Sequence, residues 1–290
     1  MTLETFHPKF RQFEVNGPGD DNVLIQHHFG SPDHSKISGP NPKKVYHKGP
    51  WRIFRLNDAW VYEYRDITQQ NPKHSIWGVF SENHMSIDIY ADNIGEERYK
   101  NGRFEALTLF QTDQMLFAKL LCDRHGLILH SNGFDMKGKG ILLAGESGAG
   151  KSTLSRMLKN QGAEILCDDR MFVRTDINRS IIYGNWCHGT VPDTSVVSSP
   201  LKAIFFLGRS SGNRIEKLEN KREVARNLVR SLVKPLFTPD GWEKTFDFIE
   251  MIIHNVPCYK LEFDLSGRIC DMIGELLGQK PQTGLNGGII

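Results

Sequence analysis

The sequence predicts an α/β protein with a mixed sheet, preceded by a smaller β-rich region. Three observations predict this fold. Short aromatic and β-branched runs of strand length recur between residues 45 and 110. Beyond that range, apolar strands alternate with amphipathic helices. A glycine-rich loop also joins one apolar run to a helical pattern. We therefore predict a loop- and β-rich N-terminal region over residues 1–110 and an α/β domain over residues 111–290.

The N-terminal region begins with turn formers. Residues 1–45 contain stretches such as NGPGDD and are interpreted as loops around one short apolar stretch, Val23–Ile25. Five later runs are aromatic or β-branched and have the length of strands. These predicted strands are WRIFRL, AWVYEY, SIWGVF, MSIDIY and FEALTLF.

The second region opens with a helical pattern that has a capping candidate at Thr112 and a terminating Gly126. The strands LILHS and GILLA then precede the glycine-rich loop, and a helix over residues 151–161 follows it. The remaining predicted strands are EILC, MFVRT, SIIYG, KAIFFLG and CYKLEFD. The remaining predicted helices are KREVARNLVRSL, WEKTFDFIEMIIHNV and GRICDMIGELLG.

Composition excludes several classes of function. The chain is 39% hydrophobic and 24% charged with a formal net charge of +2, so it lacks the charge of a nucleic-acid or membrane-surface binder. Its five cysteines form no C-x-x-C pair, which favours reduced thiols in a cytosol over disulfides or a zinc site. There is no signal-peptide pattern and no apolar run long enough to span a bilayer. We expect a cytoplasmic protein without nucleic-acid or membrane partners.

The glycine-rich loop carries the strongest chemical signal. Residues 145–152 read GESGAGKS and fit the P-loop pattern G-x-x-x-x-G-K-[ST] between a strand and a helix. The glycines let backbone N–H groups turn toward an anion, and the helix N-terminus adds partial positive charge. Lys151 would contact the outer phosphates, and the Ser152 hydroxyl would coordinate magnesium. We therefore expect ATP or another nucleoside triphosphate, with Mg²⁺. The predicted nucleotide-binding residues are Gly145, Glu146, Ser147, Gly148, Ala149, Gly150, Lys151, Ser152 and Thr153.

Two adjacent aspartates follow the loop after only one short helix. The chain returns as the strand 164–167, which we expect near the strand that enters the loop. Asp168 and Asp169 would then lie beside the terminal phosphate. One carboxylate can hold the metal while the other accepts a proton from an attacking hydroxyl. Alternatively, the pair forms a solvated turn or ion pairs with Arg170 and Arg174.

His130 is the third element of the predicted site. It ends the run LILH, fifteen residues before Gly145. A hairpin between the two strands can bring this histidine back to the loop, next to the aspartates. There it can tune the proton affinity of Asp168 or help to move its proton.

The spacing of His130, residues 145–152 and Asp168-Asp169 resembles the catalytic core of the HPr serine kinase/phosphorylase family, which is related to the phosphoenolpyruvate carboxykinases. The resemblance covers roughly residues 110–215. It implies a P-loop mixed-sheet domain of the HPr kinase type. It also implies that Asp168 is the catalytic base, that His130 is its partner, and that Asp169 lies near the metal.

One part of the sequence departs from that family. The HPr kinases carry an E-I-R-G-L-G-type stretch after the aspartates, whereas this chain reads SIIYGNWCHGTVPDTS, with Trp186 and His188 and no such glutamate. The chain is more similar to divergent HPr-kinase-like proteins. Some of these accompany peptide-modifying enzymes and phosphorylate a peptide hydroxyl.

The predicted function is that of a serine kinase-like phosphotransferase. It would move a phosphoryl group, with magnesium, from a nucleoside triphosphate to a hydroxyl, most simply a serine of a peptide or protein. The missing second signature leaves an alternative open: a nucleotide-binding regulatory or scaffold module without transfer activity. A carboxykinase would need a longer chain and a further set of metal ligands. The sequence leaves a homo-oligomer open.

Further polar residues have weaker signals. His188, Arg209 and Arg214 are candidates for contacts to phosphate, but loop residues of these types are often structural or solvated. A second group of histidines lies in a loop-rich segment without a partner acid cluster, so we expect no metal site there. These residues are His27, His28 and His34.

Overall fold

The structure is a computed structural model, and it divides the chain into two compact units. One unit comprises residues 1–124 with 234–245, and the other comprises residues 125–233 with 246–290. Whether they are independent domains, as predicted with a boundary after residue 110, remains a prediction. Among the described helices, none has both the length and the apolar character needed to cross a membrane. The structure describes residues 5–37, 42–65, 75–91, 93–102, 104–110, 113–187, 189, 193–208, 212–234 and 239–278.

The first unit contains a six-stranded sheet. Its spatial order is β1-β6-β5-β4-β3-β2, and every neighbouring pair is antiparallel except the parallel pair β1–β6. The strands are β1 (Leu24–Phe29), β2 (Lys43–Lys48), β3 (Trp51–Arg55), β4 (Ala59–Arg65), β5 (Ser75–Ser81) and β6 (Ser86–Ala91). The helices are α1 (His34–Ile37), α2 (Asn93–Lys100) and α3 (Gln114–Cys122). Buried aromatic side chains, among them Tyr62, Phe80 and Phe110, form its core.

Two sequence-based assignments in this unit are wrong. The run FEALTLF is a series of turns rather than a strand, because the Asp113 carboxylate accepts the backbone N–H groups of Leu107 and Thr108, each at 2.7 Å. A side chain thus replaces the neighbouring strand as hydrogen-bond partner. The segment 1–45, interpreted as loops, contains β1 and the start of β2; β1 pairs with the distant strand β6, and β2 pairs with the next strand, β3. A third assignment is wrong in the second unit, where Gly126 begins a strand instead of ending a helix; Thr112 lies outside the described residues.

The second unit contains an eight-stranded mixed sheet, which confirms the predicted mixed α/β architecture. Its order is β11-β10-β7-β8-β12-β14-β13; β9 pairs with β7, and β11 also pairs with β12. Strands β8, β12 and β14 are parallel neighbours, whereas β7 is antiparallel to β8, β9 and β10. The strands are β7 (Gly126–Asp135), β8 (Gly140–Ala144), β9 (Glu164–Cys167), β10 (Arg170–Thr175), β11 (Ser180–Tyr183), β12 (Ser198–Leu207), β13 (Arg214–Lys217) and β14 (Cys258–Glu262).

Helices pack on this sheet, and one of them is the helix that begins directly after the glycine-rich loop. The remaining helices are α4 (Lys151–Asn160), α5 (Lys221–Ser231), α6 (Pro239–Asn255) and α7 (Arg268–Leu276). Leu154 and Leu158 of α4 and Ile269 and Ile273 of α7 are fully buried in one apolar cluster with Phe205 of β12. This packing fixes α4 against the sheet, because a close-packed core allows little displacement.

We expect Gly184→Ala to destabilise the protein. A Cβ atom at this position would lie 2.0 Å from the backbone oxygen of Ser195, a contact that the chain must relieve by moving. The free energy of unfolding in urea should fall by about 1–3 kcal/mol. The control is Gly274→Ala in α7, where no atom lies within 4 Å of the added Cβ. That variant should gain about 0.5–1 kcal/mol from helix propensity, so equal effects of the two changes would contradict the packing around Gly184.

Candidate functional site

The glycine-rich loop lies between a buried strand and the first turn of a helix. Strand β8 is buried along its whole length, and the loop leads directly into α4. Gly148 and Gly150 have φ values of 77° and 97°, in the left-handed region that favours glycine. A Cβ on Gly150 would also approach Phe263 to 2.8 Å. The loop conformation therefore requires glycine at these motif positions.

Lys151 folds back over the loop. Its Nζ donates to the backbone oxygen of Gly145 at 2.7 Å and to that of Glu146 at 3.3 Å. Burial lowers the pKa of Lys151 below its ordinary value. Ser152 and Thr153 follow in the first helical turn and are half-buried. The ammonium group thus already lies at the loop, where an anion held by the backbone N–H groups would meet it.

A buried polar chain supports this first turn. Asn132 Nδ2 donates to Ser155 Oγ at 2.7 Å, and Ser155 Oγ donates to the Lys151 backbone oxygen at 2.8 Å. Asn132 and Ser155 are fully buried. The sequence analysis did not identify either residue. Asn132 follows His130 by two positions on β7, a spacing that puts both side chains on one face of the sheet.

The aspartate pair is placed by strand pairing. Strand β9 lies one strand away from β8, because β7 lies between them. Cys167, at the end of β9, lies opposite Gly133, and Arg170, at the start of β10, lies opposite His130. The pairing register with β7 is therefore the same before and after the two aspartates. Strands β9 and β10 together run along one edge of β7, and the aspartates interrupt this run. This brings them to the level of His130.

Asp169 is the aspartate that contacts His130. Nδ1 of the histidine lies 3.0 Å from Asp169 Oδ1 and 3.1 Å from the Asp169 backbone oxygen. Both atoms are acceptors, so Nδ1 carries the proton of the neutral ring and Nε2 is its basic nitrogen. Partial burial, followed by the positive charges of Lys151 and Arg170, lowers the pKa of His130. Arg170 Nη1 also pairs with the Asp169 carboxylate.

Asp168 is more enclosed than its neighbour. Its exposed fraction is 5%, and its Oδ1 accepts the backbone N–H of Gly189 at 2.6 Å. A Cβ on Gly189 would lie 3.1 Å from Asp169 Cβ, so the backbone at Gly189 packs closely on the aspartate pair. The sequence analysis paired His130 with Asp168, whereas the described contact to His130 comes from Asp169. The catalytic roles of both aspartates remain predictions.

A pocket of about 360 Å³ lies beside the loop. His130 lines this pocket and also contacts Asp169, so it connects the pocket with the aspartates. Helix α5 forms a further part of the wall, which the sequence analysis did not predict. The lining residues are His130, Gly145, Glu146, Ser147, Ala149, Phe206, Leu207, Asn227, Arg230 and Ser231.

Comparison with protein-family models assigns the chain to a family. The family model described as SynChlorMet cassette protein ScmC matches residues 97–278, more than half of the chain. The chain belongs to the ScmC family. The part that matches the ScmC model contains every residue of the candidate site. A search among curated proteins found no match to the chain.

One solved structure is similar to this ScmC-family chain at low identity. The HPr(Ser) kinase/phosphatase from Coxiella burnetii shares 15% sequence identity, with 52% of this chain and 93% of that chain covered and a TM-score of 0.30. A TM-score this low does not establish a shared fold.

The candidate site of this ScmC-family chain offers side-chain oxygen atoms of the kind that bind magnesium. Mg²⁺ takes oxygen ligands and is usually held by one or two carboxylates together with water and substrate phosphates. The Ser152 hydroxyl and the Asp169 carboxylate are of this type. Within the described part of the chain, no group of three or more His, Cys, Asp and Glu side chains is arranged to hold a metal.

Of the weaker candidates in the ScmC-family chain, only Arg214 lies within the described residues. Arg214 is exposed on β13 and pairs with Glu216 at 2.8 Å. It does not line the pocket beside the loop. His188 and Arg209 lie outside the described residues. The structure gives Arg214 no contact at the candidate site, and the roles of His188 and Arg209 remain predictions.

Proposed function

We propose that this ScmC-family chain is a phosphotransferase of the HPr kinase type. It would transfer the terminal phosphoryl group of ATP or another nucleoside triphosphate, with magnesium, to a hydroxyl, most simply a serine of a peptide or protein. The observation that supports this proposal is the position of His130. It contacts Asp169 at 3.0 Å and lines the same pocket as the glycine-rich loop, so acids and loop belong to one site.

Each group then has a role that its surroundings support. The loop N–H groups and Lys151 hold the phosphates, as they do in other proteins with this motif. Bound magnesium would offset the charge that develops on the phosphoryl oxygens. Ser152 and Asp169 would hold that ion, and Asp169 would then exchange part of its pairing with Arg170 for the metal. His130, whose pKa is lowered by partial burial and by the charges of Lys151 and Arg170, orients Asp169 through Nδ1–H.

Asp168 is proposed as the base that accepts the hydroxyl proton. The Gly189 N–H holds its Oδ1, which fixes the carboxylate at one position. A fixed base needs no reorganisation when the hydroxyl arrives, and this favours proton transfer. Asp168 is only 5% exposed, so an acceptor hydroxyl would reach it only after its surroundings open.

That enclosure is also the observation that favours the second candidate function. A carboxylate that a hydroxyl cannot reach would take no proton, and the site would bind nucleotide without transferring phosphate. The chain would then be a nucleotide-binding regulatory or scaffold module. Its nucleotide would change the affinity for a partner protein.

The two functions are separated by a transfer assay. The unmutated protein is incubated with Mg²⁺, a γ-labelled nucleoside triphosphate and a pool of serine-containing peptides, and peptide-bound label is measured. We expect label on serine and none after chelation of the metal, with the matched Ser→Ala peptide pool as control. Nucleotide binding without labelled peptide would instead support the regulatory module.

A further inference from the structure

The pocket beside the loop has a second wall that the proposed function does not use. Helix α5 contributes Asn227, Arg230 and Ser231 to the lining, whereas the loop contributes the phosphate-binding side. These three residues follow the i, i+3, i+4 spacing that puts side chains on one face of a helix. Their common face suggests a binding surface for something other than the phosphates.

The position of this wall is fixed by the fold. Val224 and Leu228 are buried on the core side of α5. Beyond the helix, the Val233 N–H donates to the Ile128 backbone oxygen at 2.9 Å, and Leu232 forms a bridge with Leu129. The C-terminal end of α5 is thus tied to β7, the strand that carries His130. The distance between this wall and the aspartates is therefore fixed.

The charges on the two sides of the pocket differ. Arg230 is exposed and, within the described residues, makes no ion pair. Glu146 is exposed on the loop side. A guanidinium group presents a planar fork that matches a carboxylate or a phosphate in two parallel hydrogen bonds. Arg230 would attract an anionic group that lies beside α5, whereas on the loop side the Glu146 carboxylate opposes the attraction of Lys151.

The acceptor peptide is a better candidate than the nucleotide for binding against α5. Lys151 and the loop N–H groups already provide for the phosphates, and about 360 Å³ is at the small end for a ligand pocket. That volume accommodates one or two side chains of a peptide. Phe206 and Leu207 supply apolar surface against which such a segment can pack.

We propose that the α5 wall is the acceptor subsite, and that the accepted hydroxyl belongs to a serine flanked by an acidic residue whose carboxylate binds Arg230. This inference rests on the proposed phosphotransferase function. It specifies the substrate class of that site: an acidic peptide segment. Arg230 is a specificity-determining residue and takes no part in proton transfer.

The test uses three serine peptides that differ only in the residues on both sides of the serine, which are Glu, Gln or Lys. With the unmutated protein, kcat/KM should be highest for the Glu peptide. Arg230→Glu should lower kcat/KM for the Glu peptide by about 10- to 100-fold, through KM, and should reverse the order of the Glu and Lys peptides. Nucleotide affinity should not change.

The matched control is Arg226→Glu, an equal change of charge at an exposed position of the same helix that does not line the pocket. It should keep the preference for the Glu peptide. An equal loss for all three peptides in Arg230→Glu would overturn the acceptor subsite, because it would place Arg230 at the phosphoryl group. An unchanged order of the peptides would overturn it as well.

The same assay distinguishes failure of the proposed phosphotransferase function from failure of the acceptor subsite. If the unmutated protein binds nucleotide but labels none of the three peptides, the phosphotransferase is contradicted, and the acceptor subsite falls with it. If the unmutated protein labels a peptide, the phosphotransferase stands. The Arg230 and Arg226 variants alone then decide the subsite.

Discussion

Asp168→Asn is expected to bind nucleotide as the unmutated protein does and to lose phosphoryl transfer. The amide has nearly the shape of the carboxylate, and Lys151 and the loop are unchanged, so nucleotide affinity should persist. An amide cannot accept the hydroxyl proton, and loss of one positioned base costs about 10²- to 10⁴-fold in rate. The measurement is kcat for label transfer to a serine peptide, with nucleotide affinity from isothermal titration.

The neighbouring variant Asp169→Asn separates the roles of the two acids. If Asp169 holds magnesium, this variant should need more Mg²⁺ for half-maximal rate, whereas Asp168→Asn should not. The reverse pattern would exchange the two roles. Asp169 with His130 would then act on the proton, in accord with their 3.0 Å contact. Transfer by Asp168→Asn at the unmutated rate would exclude Asp168 as the base.

Lys151→Ala is expected to weaken nucleotide binding by about 10- to 100-fold, the usual worth of a charge-assisted hydrogen bond. The ammonium group lies at the loop through its bonds to Gly145 and Glu146, so its removal takes a positive charge from the phosphate site. Titration of ATP and GTP with Mg²⁺ measures the effect. Turnover should fall with binding.

A lysine at the other end of the same helix provides the control for this change. Lys159 pairs with Asp193 at 2.7 Å near the end of α4, away from the loop. Lys159→Ala should leave nucleotide affinity unchanged. If the unmutated protein binds no nucleotide in the presence of Mg²⁺, the loop has another purpose and the proposed function fails.

Local sequence signals predicted much of the second unit. The apolar run GILLA, the glycines of the loop and the helical pattern after Lys151 appear in the structure as β8, a loop with left-handed glycines and α4. Such features depend on neighbouring residues: apolar periodicity, backbone freedom at glycine and capping. Their positions could therefore be read without knowledge of the fold.

Pairing between distant segments was not readable in this way. Strands β1 and β2 lie in a region rich in turn formers, and β1 forms only because β6 is available beside it. The run FEALTLF has strand composition, yet the Asp113 carboxylate takes its N–H groups. In the first case a distant strand outweighs the local preference, and in the second a side chain only five or six residues further along does so.

By itself, the sequence determined which residue types the candidate site contains: the complete loop motif, the aspartate pair and His130 before them. Only the tertiary structure decided how they are arranged. Strand β7 lies between β8 and β9, so strand register brings the aspartates to His130 and selects Asp169 as its partner. Packing of α5 on β7 adds Arg230 to the pocket. Register and helix packing depend on contacts between segments far apart in the chain, and no local pattern of residues records them.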